Sequence, residues 1–508
     1  MFTQVFSAAI YGVDARVVRV EADVSDGLPS FSIVGYVSAQ VKEAQDRVRT
    51  AVRNIGLALP PKRVTINLAP ADIRKEGPRF DLPIAAAVLC AAGRIPPAAL
   101  KNTMILGELG LNGAVCPVSG VLPSVIAARD RGCRVCILPF DNLTEGRNVQ
   151  GIRIVGLSVL EELLAYCSDP EGYEQREPGQ ESGIPGERRG DFADIHGQEQ
   201  VKRAALLSVA GFHNLLMIGP PGSGKTMAAS RLPGLMPDMT DEESLEVTKI
   251  YSVAGLLPGQ TSLLTERPFR SPHHTISPQA LAGGGRFPRP GEITLAHRGV
   301  LFLDEFPEFS RTSLEILRQP LEDKRIVISR SQGTVAFPAD FILVAAMNPC
   351  PCGHYPDMNR CICSPGQISS YIHRISQPLL DRMELCVEAP ALTYEELGQP
   401  GDGMDTETLK GQAADAFAIQ KKRYQEEPFL YNSQLGVKDL KRYCPMSADA
   451  EAALMRVYEK MGLSARGCHR LIKVARTAAD LDRSGRIEKK HMLEACSYRN
   501  AGKKFWNI

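Results

Sequence analysis

Gly219-Pro220-Pro221-Gly222-Ser223-Gly224-Lys225-Thr226 is the stretch on which the reading of this chain turns. It is a G-x-x-x-x-G-K-T loop, and its flanks are those such a loop needs. The apolar run Leu215–Ile218 before it reads as a strand, and the segment after it reads as a helix. The glycines let backbone N–H groups turn inward on phosphate oxygens, and the helix N-terminus adds a favourable dipole. Lys225 would reach the β- and γ-phosphates of ATP, and Thr226 would ligate Mg²⁺.

Two more apolar strands follow. Gly299–Leu303 ends in Asp304-Glu305, where Asp304 would hold Mg²⁺ through water and Glu305 would polarise the attacking water. Phe341–Ala346 runs into Met347-Asn348, and an asparagine at that tip can orient the water. Strands alternating with helices are the rhythm of an α/β parallel sheet. Arg382 and Arg466 are candidates for the positive charge that phosphoryl transfer needs. Surface salt bridges are the alternative for both.

The rest of the chain sets bounds. Its 508 residues are too many for one core, which predicts about two to four domains. Lys+Arg 59 against Asp+Glu 58 leaves a net charge of +1, so nucleic-acid contact must come from a local basic surface. No run of about 18 apolar residues occurs, which predicts no membrane span. The N-terminus reads as a first strand rather than a signal peptide. Thirteen cysteines, an odd number spread through a long chain, argue for a reducing compartment and a cytoplasmic protein.

The clearest break is the polar, Gly-, Glu- and Pro-rich stretch 169–190, read as a linker. Before it, residues 1–168 mix strands (Arg16–Val24, Phe31–Val34, Val64–Leu68) with helices (Val37–Ile55, Leu82–Ala92) and lack a nucleotide fingerprint. After it, 191–392 carries every nucleotide motif, and 393–508 turns helical, with Ser464 capping the strongest helix.

Cys350, Cys352, Cys361 and Cys363 form two C-x-C pairs that suit a structural tetrahedral Zn²⁺. Reduced free thiols or a disulfide pair are the alternatives. Two basic stretches stand out besides. Pro258–Gly291 contains Arg270, His273, His274, Arg286 and Arg289, and Lys324, Arg325 and Arg330 flank a hairpin pattern over 324–337. Either could track a phosphate backbone, single-stranded or branched DNA. The first also reads as a solvated loop.

Taken in order, Asp194-Ile195-His196-Gly197-Gln198, the loop 219–226, Asp304-Glu305, Asn348, Arg382 and Arg466 resemble AAA+ ATPases. Pro268-Phe269-Arg270-Ser271-Pro272-His273-His274, Pro290-Gly291-Glu292-Ile293, Asn348-Pro349-Cys350-Pro351 and Leu379-Leu380-Asp381-Arg382 resemble the magnesium-chelatase-like branch and, within it, the YifB/ComM family. The resemblance spans the chain. It implies an N-terminal Lon-protease-like (ribosomal S5 domain 2-like) α+β domain, an AAA+ core and a C-terminal helical lid. It makes Arg382 an arginine finger acting in trans, Arg466 a sensor-2 arginine in cis, and Gly197 and Gln198 neighbours of the adenine. It places Pro258–Gly291 as a pore-facing insert. It implies a homo-hexameric DNA helicase for branch migration in natural transformation. Against an active Lon protease, Gly77-Pro78 is followed by Arg79 where the serine belongs, and Leu122 stands where the lysine belongs. That Ser–Lys dyad is therefore absent.

Three functions remain open at this level: an ATP-driven DNA motor, a protein-remodelling AAA+ machine, and the ATPase subunit of a metal-insertion enzyme. The basic, Gly-rich candidate pore loops favour the first.

Overall fold

The computed structural model describes residues 2–178, 190–257, 263–285, 288–330, 333–391 and 404–506. Arg286 and much of the stretch 169–190 fall outside them. Two compact units emerge: 1–185 with 241–264 and 288–290, and 186–240 with 265–287 and 291–508.

The first unit is built on a seven-stranded mixed sheet, in the order Ser30–Gly35, Arg63–Ala69, Asp14–Ser25, Phe2–Tyr11, Thr103–Ile105, Val135–Pro139, Arg153–Leu157. Asp14–Ser25 pairs antiparallel with both neighbours, while the last three strands run parallel. The helix Asp81–Ala91 is buried along its whole length against the two longest strands. Its small Ala-rich sequence permits that close approach. The helix expected over Val37–Ile55 is interrupted at Glu43, giving Ala39–Lys42 and Ala44–Asn54, with Ser38 capping the first piece.

This unit reaches into the sequence beyond the phosphate loop. The helix Asp241–Ala254, with three acids favourably placed in its first turn, packs on the helix Val121–Asp130. Beneath that contact lies a buried polar group. Glu145 accepts from the Leu122 amide at 2.8 Å and from the Ser252 hydroxyl at 2.5 Å. The Gly120 amide donates to the Ser252 carbonyl at 2.8 Å. Arg79 donates to the carbonyls of Ser119 and Ala8. Burial lowers its guanidinium to about 10 against the pull of Glu145, and burial also raises Glu145. Leu122 is fully buried and Arg79 nearly so.

The second unit holds a five-stranded parallel sheet, in the order Phe269–Arg270, Val300–Leu303, Ile342–Met347, Leu215–Ile218, Leu385–Glu388. All four residues of Leu215–Ile218 are buried. Each Leu, Ile or Met there contributes about 1.5–3 kcal/mol of apolar burial. Arg325–Arg330 and Gly333–Pro338 form the expected antiparallel hairpin. From Thr406 onward the chain is helical, with Thr406–Arg423, Ala448–Met461, Ala465–Leu481 and Lys489–Trp506 as the long members. Ser464 caps the third, accepting from the Gly467 amide at 3.1 Å.

Candidate functional site

The register of the second sheet brings the motifs together. Ile218 pairs with Met347 and Glu388, and Leu303 pairs with Ala345. Gly219, Asp304 and Asn348 therefore all leave the same carboxyl edge, where open α/β sheets bind ligands. The order is also non-sequential there: Leu215–Ile218 sits between strands that come later in the chain.

The loop's glycines are required by geometry. A Cβ on Gly219 would lie 2.0 Å from the Ala389 carbonyl oxygen, and Gly222 and Gly224 have φ of +78° and +82°. Lys225 opens the helix Lys225–Leu235. Its ammonium donates to the carbonyls of Gly219 and Pro220 at 2.8 Å each and to Asn348 Oδ1 at 3.4 Å. Burial pulls it down to about 8, with Asp304 opposing. Thr226 Oγ1 donates to Asp304 Oδ2 at 2.7 Å. The hydroxyl and carboxylate that would share Mg²⁺ are thus already adjacent, and the donor set fits a hard cation.

Glu305 follows Asp304 with φ of +50°, a strained setting for a residue with a side chain. Its side chain is 58% exposed and pairs with His274 Nδ1 at 3.0 Å. Sequence reasoning placed His274 in a DNA-facing loop and missed this pairing, because the parallel strand Phe269–Arg270 is only two residues long. Next to the loop, Gln198 donates to the Pro390 carbonyl at 2.7 Å and the Ser223 carbonyl at 3.3 Å. Its Oε1 and the Nδ1 of His196 are buried with no hydrogen-bond partner among the described residues. An unanswered acceptor on Gln198 beside the phosphate loop is free to take a hydrogen bond from a bound group.

The remaining expected residues are placed differently. Arg382 is nearly buried; it pairs with Glu322 and donates to the Pro378 carbonyl at 2.5 Å. Arg466 is exposed in the first turn of Ala465–Leu481. One turn on, Arg470 is largely desolvated, and its Nη1 has no hydrogen-bond partner among the described residues. Arg270 makes a bidentate pair with Glu292 at 2.6 and 2.8 Å, and His273 bonds Thr275. Lys324 pairs with Asp340 at 3.3 Å. Arg325 and Arg330 are exposed on the hairpin, whose tip lies outside the described residues.

The four clustered cysteines converge. Their sulfurs all lie within 4.8 Å of one another, with Cys350 buried and the other three half-buried. The His354 amide pulls the Cys352 thiol down to about 6. No disulfide joins them. The set fits one tetrahedral thiophilic ion.

Family comparison agrees in three places. Residues 191–397 match the family "Magnesium chelatase, subunit ChlI", 20–142 match "Subunit ChlI of Mg-chelatase", and 403–499 match "Magnesium chelatase, subunit ChlI C-terminal". The chain is 42% identical over 500 residues to the competence protein ComM of Haemophilus influenzae, covering 97% of each. It is 42% identical over 503 residues to YifB of Escherichia coli, covering 97% of this chain and 96% of that one. A stretch of 128 residues, 25% of the chain, is 30% identical to Lon protease 2 of Bacillus subtilis and covers 22% of that protein. Among the described residues, no helix is long and apolar enough to cross a membrane.

Proposed function

The chain belongs to the YifB/ComM family of magnesium-chelatase-like AAA+ ATPases, and from that premise we propose that it is a ring-forming, ATP-driven DNA motor that acts on branched or single-stranded DNA in natural transformation. The observation that carries the ATPase part is the pairing of Thr226 with Asp304 beside the Lys225–Asn348 contact, all at one sheet edge.

In this reading Lys225 exchanges its two loop carbonyls for the β- and γ-phosphates. Thr226 and Asp304 hold Mg²⁺, which neutralises phosphate charge when bound. Glu305 leaves His274 and takes a hydrogen bond from the attacking water, while Asn348 fixes that water's position. Gln198 and His196 address the adenine through their unanswered atoms. Arg382 leaves Glu322 to reach a neighbour's γ-phosphate, and Arg466 supports the phosphates in cis from a helical lid formed by 393–508. Both arginine roles call for a ring, a hexamer by family. The cysteine cluster holds a structural Zn²⁺.

The DNA part is supported by the name of the Haemophilus relative and by the exposed Arg325 and Arg330 on one hairpin. Residues 1–168 act as a Lon-like platform without a protease dyad. The test is ATP hydrolysis with and without forked or four-way DNA, joined to strand displacement by Arg325→Glu/Arg330→Glu. DNA stimulation that fails in this variant, with basal hydrolysis retained, is the expected result. The chelatase reading, which the family matches also favour, requires instead that hydrolysis respond to a partner subunit and not to DNA.

A further inference from the structure

The cysteine cluster sits on the nucleotide loop. Cys350 follows Asn348 by two residues, and Asn348 accepts from Lys225. Gly353, one residue beyond Cys352, has φ of +82°, and a Cβ there would lie 2.6 Å from Pro221 Cδ. Pro221 is the third residue of the phosphate loop, and its ring cannot swing aside as a long side chain would. The backbone between the first two cysteines and His354 is therefore packed on the loop that must wrap the phosphates.

Backbone hydrogen bonds from Gly353 to Cys350 and from Cys361 to Asp357 shape that segment, and the sulfur cluster ties its two ends together. Cys350 Sγ lies 3.4 Å from Cys352 Sγ and 3.7 Å from Cys361 Sγ, and the last two are 3.6 Å apart. Zn–S bonds of about 2.3 Å in a tetrahedron put sulfurs about 3.8 Å apart. The Tyr355 amide donates to Cys350 Sγ at 3.4 Å, the kind of support that orients a thiolate ligand. Thiols are weak hydrogen-bonding groups, so four of them at this spacing with no disulfide gain most from a shared thiophilic ion.

Building on the ATPase reading above, we propose that one zinc ion bound by Cys350, Cys352, Cys361 and Cys363 sets the shape of the phosphate loop through the Gly353–Pro221 contact, so that metal occupancy controls nucleotide affinity. Uptake of the ion expels the thiol protons to solvent, and its removal returns them. Without the ion the segment 350–363 loses its cross-link and both contacts, at Pro221 and at Lys225, loosen together. Coupling between two sites is reciprocal, so bound nucleotide must tighten zinc by the same factor.

The test uses the full-length protein with zinc as the probe. Purified without added metal, it should carry about one Zn²⁺ per chain. Stripping the ion with a strong chelator should weaken binding of a fluorescent ATP analogue by about tenfold, within the usual range for coupled sites, and zinc should restore it. Cobalt in place of zinc should show a thiolate-to-metal absorption band that shifts when ATP is added. Gly353→Ala keeps all four ligands; it should retain zinc and still lose nucleotide affinity. A chain that takes up no zinc overturns the site. Equal nucleotide affinity of stripped and loaded chains, or parental affinity in zinc-loaded Gly353→Ala, overturns the coupling. A zinc-loaded chain that binds no nucleotide contradicts the ATPase reading itself.

Discussion

Two polar clusters, one in each compact unit, were set up by Gly- and Pro-containing turns and reached opposite ends. Around Arg79 the buried groups answer one another: Arg79 on carbonyls, Glu145 on Leu122 and Ser252. Around Lys225 the groups are held provisionally. Lys225 rests on two loop carbonyls, Glu305 on His274, and Gln198 Oε1 and His196 Nδ1 on nothing among the described residues. A closed network stabilises a scaffold, and an open one waits for a ligand. The Gly-Pro sequence is common to both, so the difference lies in whether the neighbouring side chains leave polar atoms unanswered.

The sharpest way to break the open cluster is to remove the charges that complete it. Arg382→Ala should cut turnover about 10³–10⁵-fold with nucleotide binding kept. Mixed with Lys225→Ala, which should not bind ATP, it should recover part of the activity, since an intact Lys225 and an intact Arg382 can then meet across one interface. Absence of recovery in mixed assemblies counts against action in trans. Glu305→Gln should bind ATP yet hydrolyse it about 10²–10³-fold more slowly, the scale of losing one preorganised group. Turnover near the parental rate would remove Glu305 from the chemistry.

The closed cluster should respond in stability instead. Glu145→Leu strips the acceptor from the Leu122 amide and the Ser252 hydroxyl and leaves Arg79 buried beside no acid; it should cost about 3–5 kcal/mol, read from denaturant unfolding of the full chain. Adding Arg79→Leu should return part of that loss. A double variant no better than Glu145→Leu alone would show that Arg79 is satisfied by its carbonyls without the acid.

The smallest effect is a matter of protons. Lys225 is cationic below its value of about 8, a value lowered by burial. Affinity for ATP should thus be full below pH 8 and fall as pH rises through it, by up to about tenfold per unit in the charged fraction. Titration of ATP affinity from pH 7 to 9.5 checks this; a flat profile places the proton elsewhere.

Much of this was legible in the sequence because the chemistry is local. The strand Leu215–Ile218, the loop 219–226 and the tips at Asp304 and Asn348 each declare themselves within eight residues, and parallel register then aligns them. The hairpin at 325–338 was legible from its two β-rich runs. What sequence could not give were contacts made across long separations. The helix Asp241–Ala254 carries acids in its first turn, yet nothing in it says that Ser252 will meet Glu145, 107 positions earlier. His274 reads as a basic loop residue until a two-residue strand lays it against Glu305. Nothing in the sequence singles out Gly353, and only its distance to Pro221 joins the cysteine cluster to the phosphate loop.

Whether the open cluster hydrolyses ATP to move DNA is read most directly from the rate of ATP hydrolysis at low salt with no addition, with four-way DNA, and with an unfolded polypeptide. A DNA motor should be stimulated by DNA alone, and the stimulation should be lost steeply as salt rises because phosphate contacts release counterions. Hydrolysis indifferent to DNA and raised by the polypeptide would contradict it.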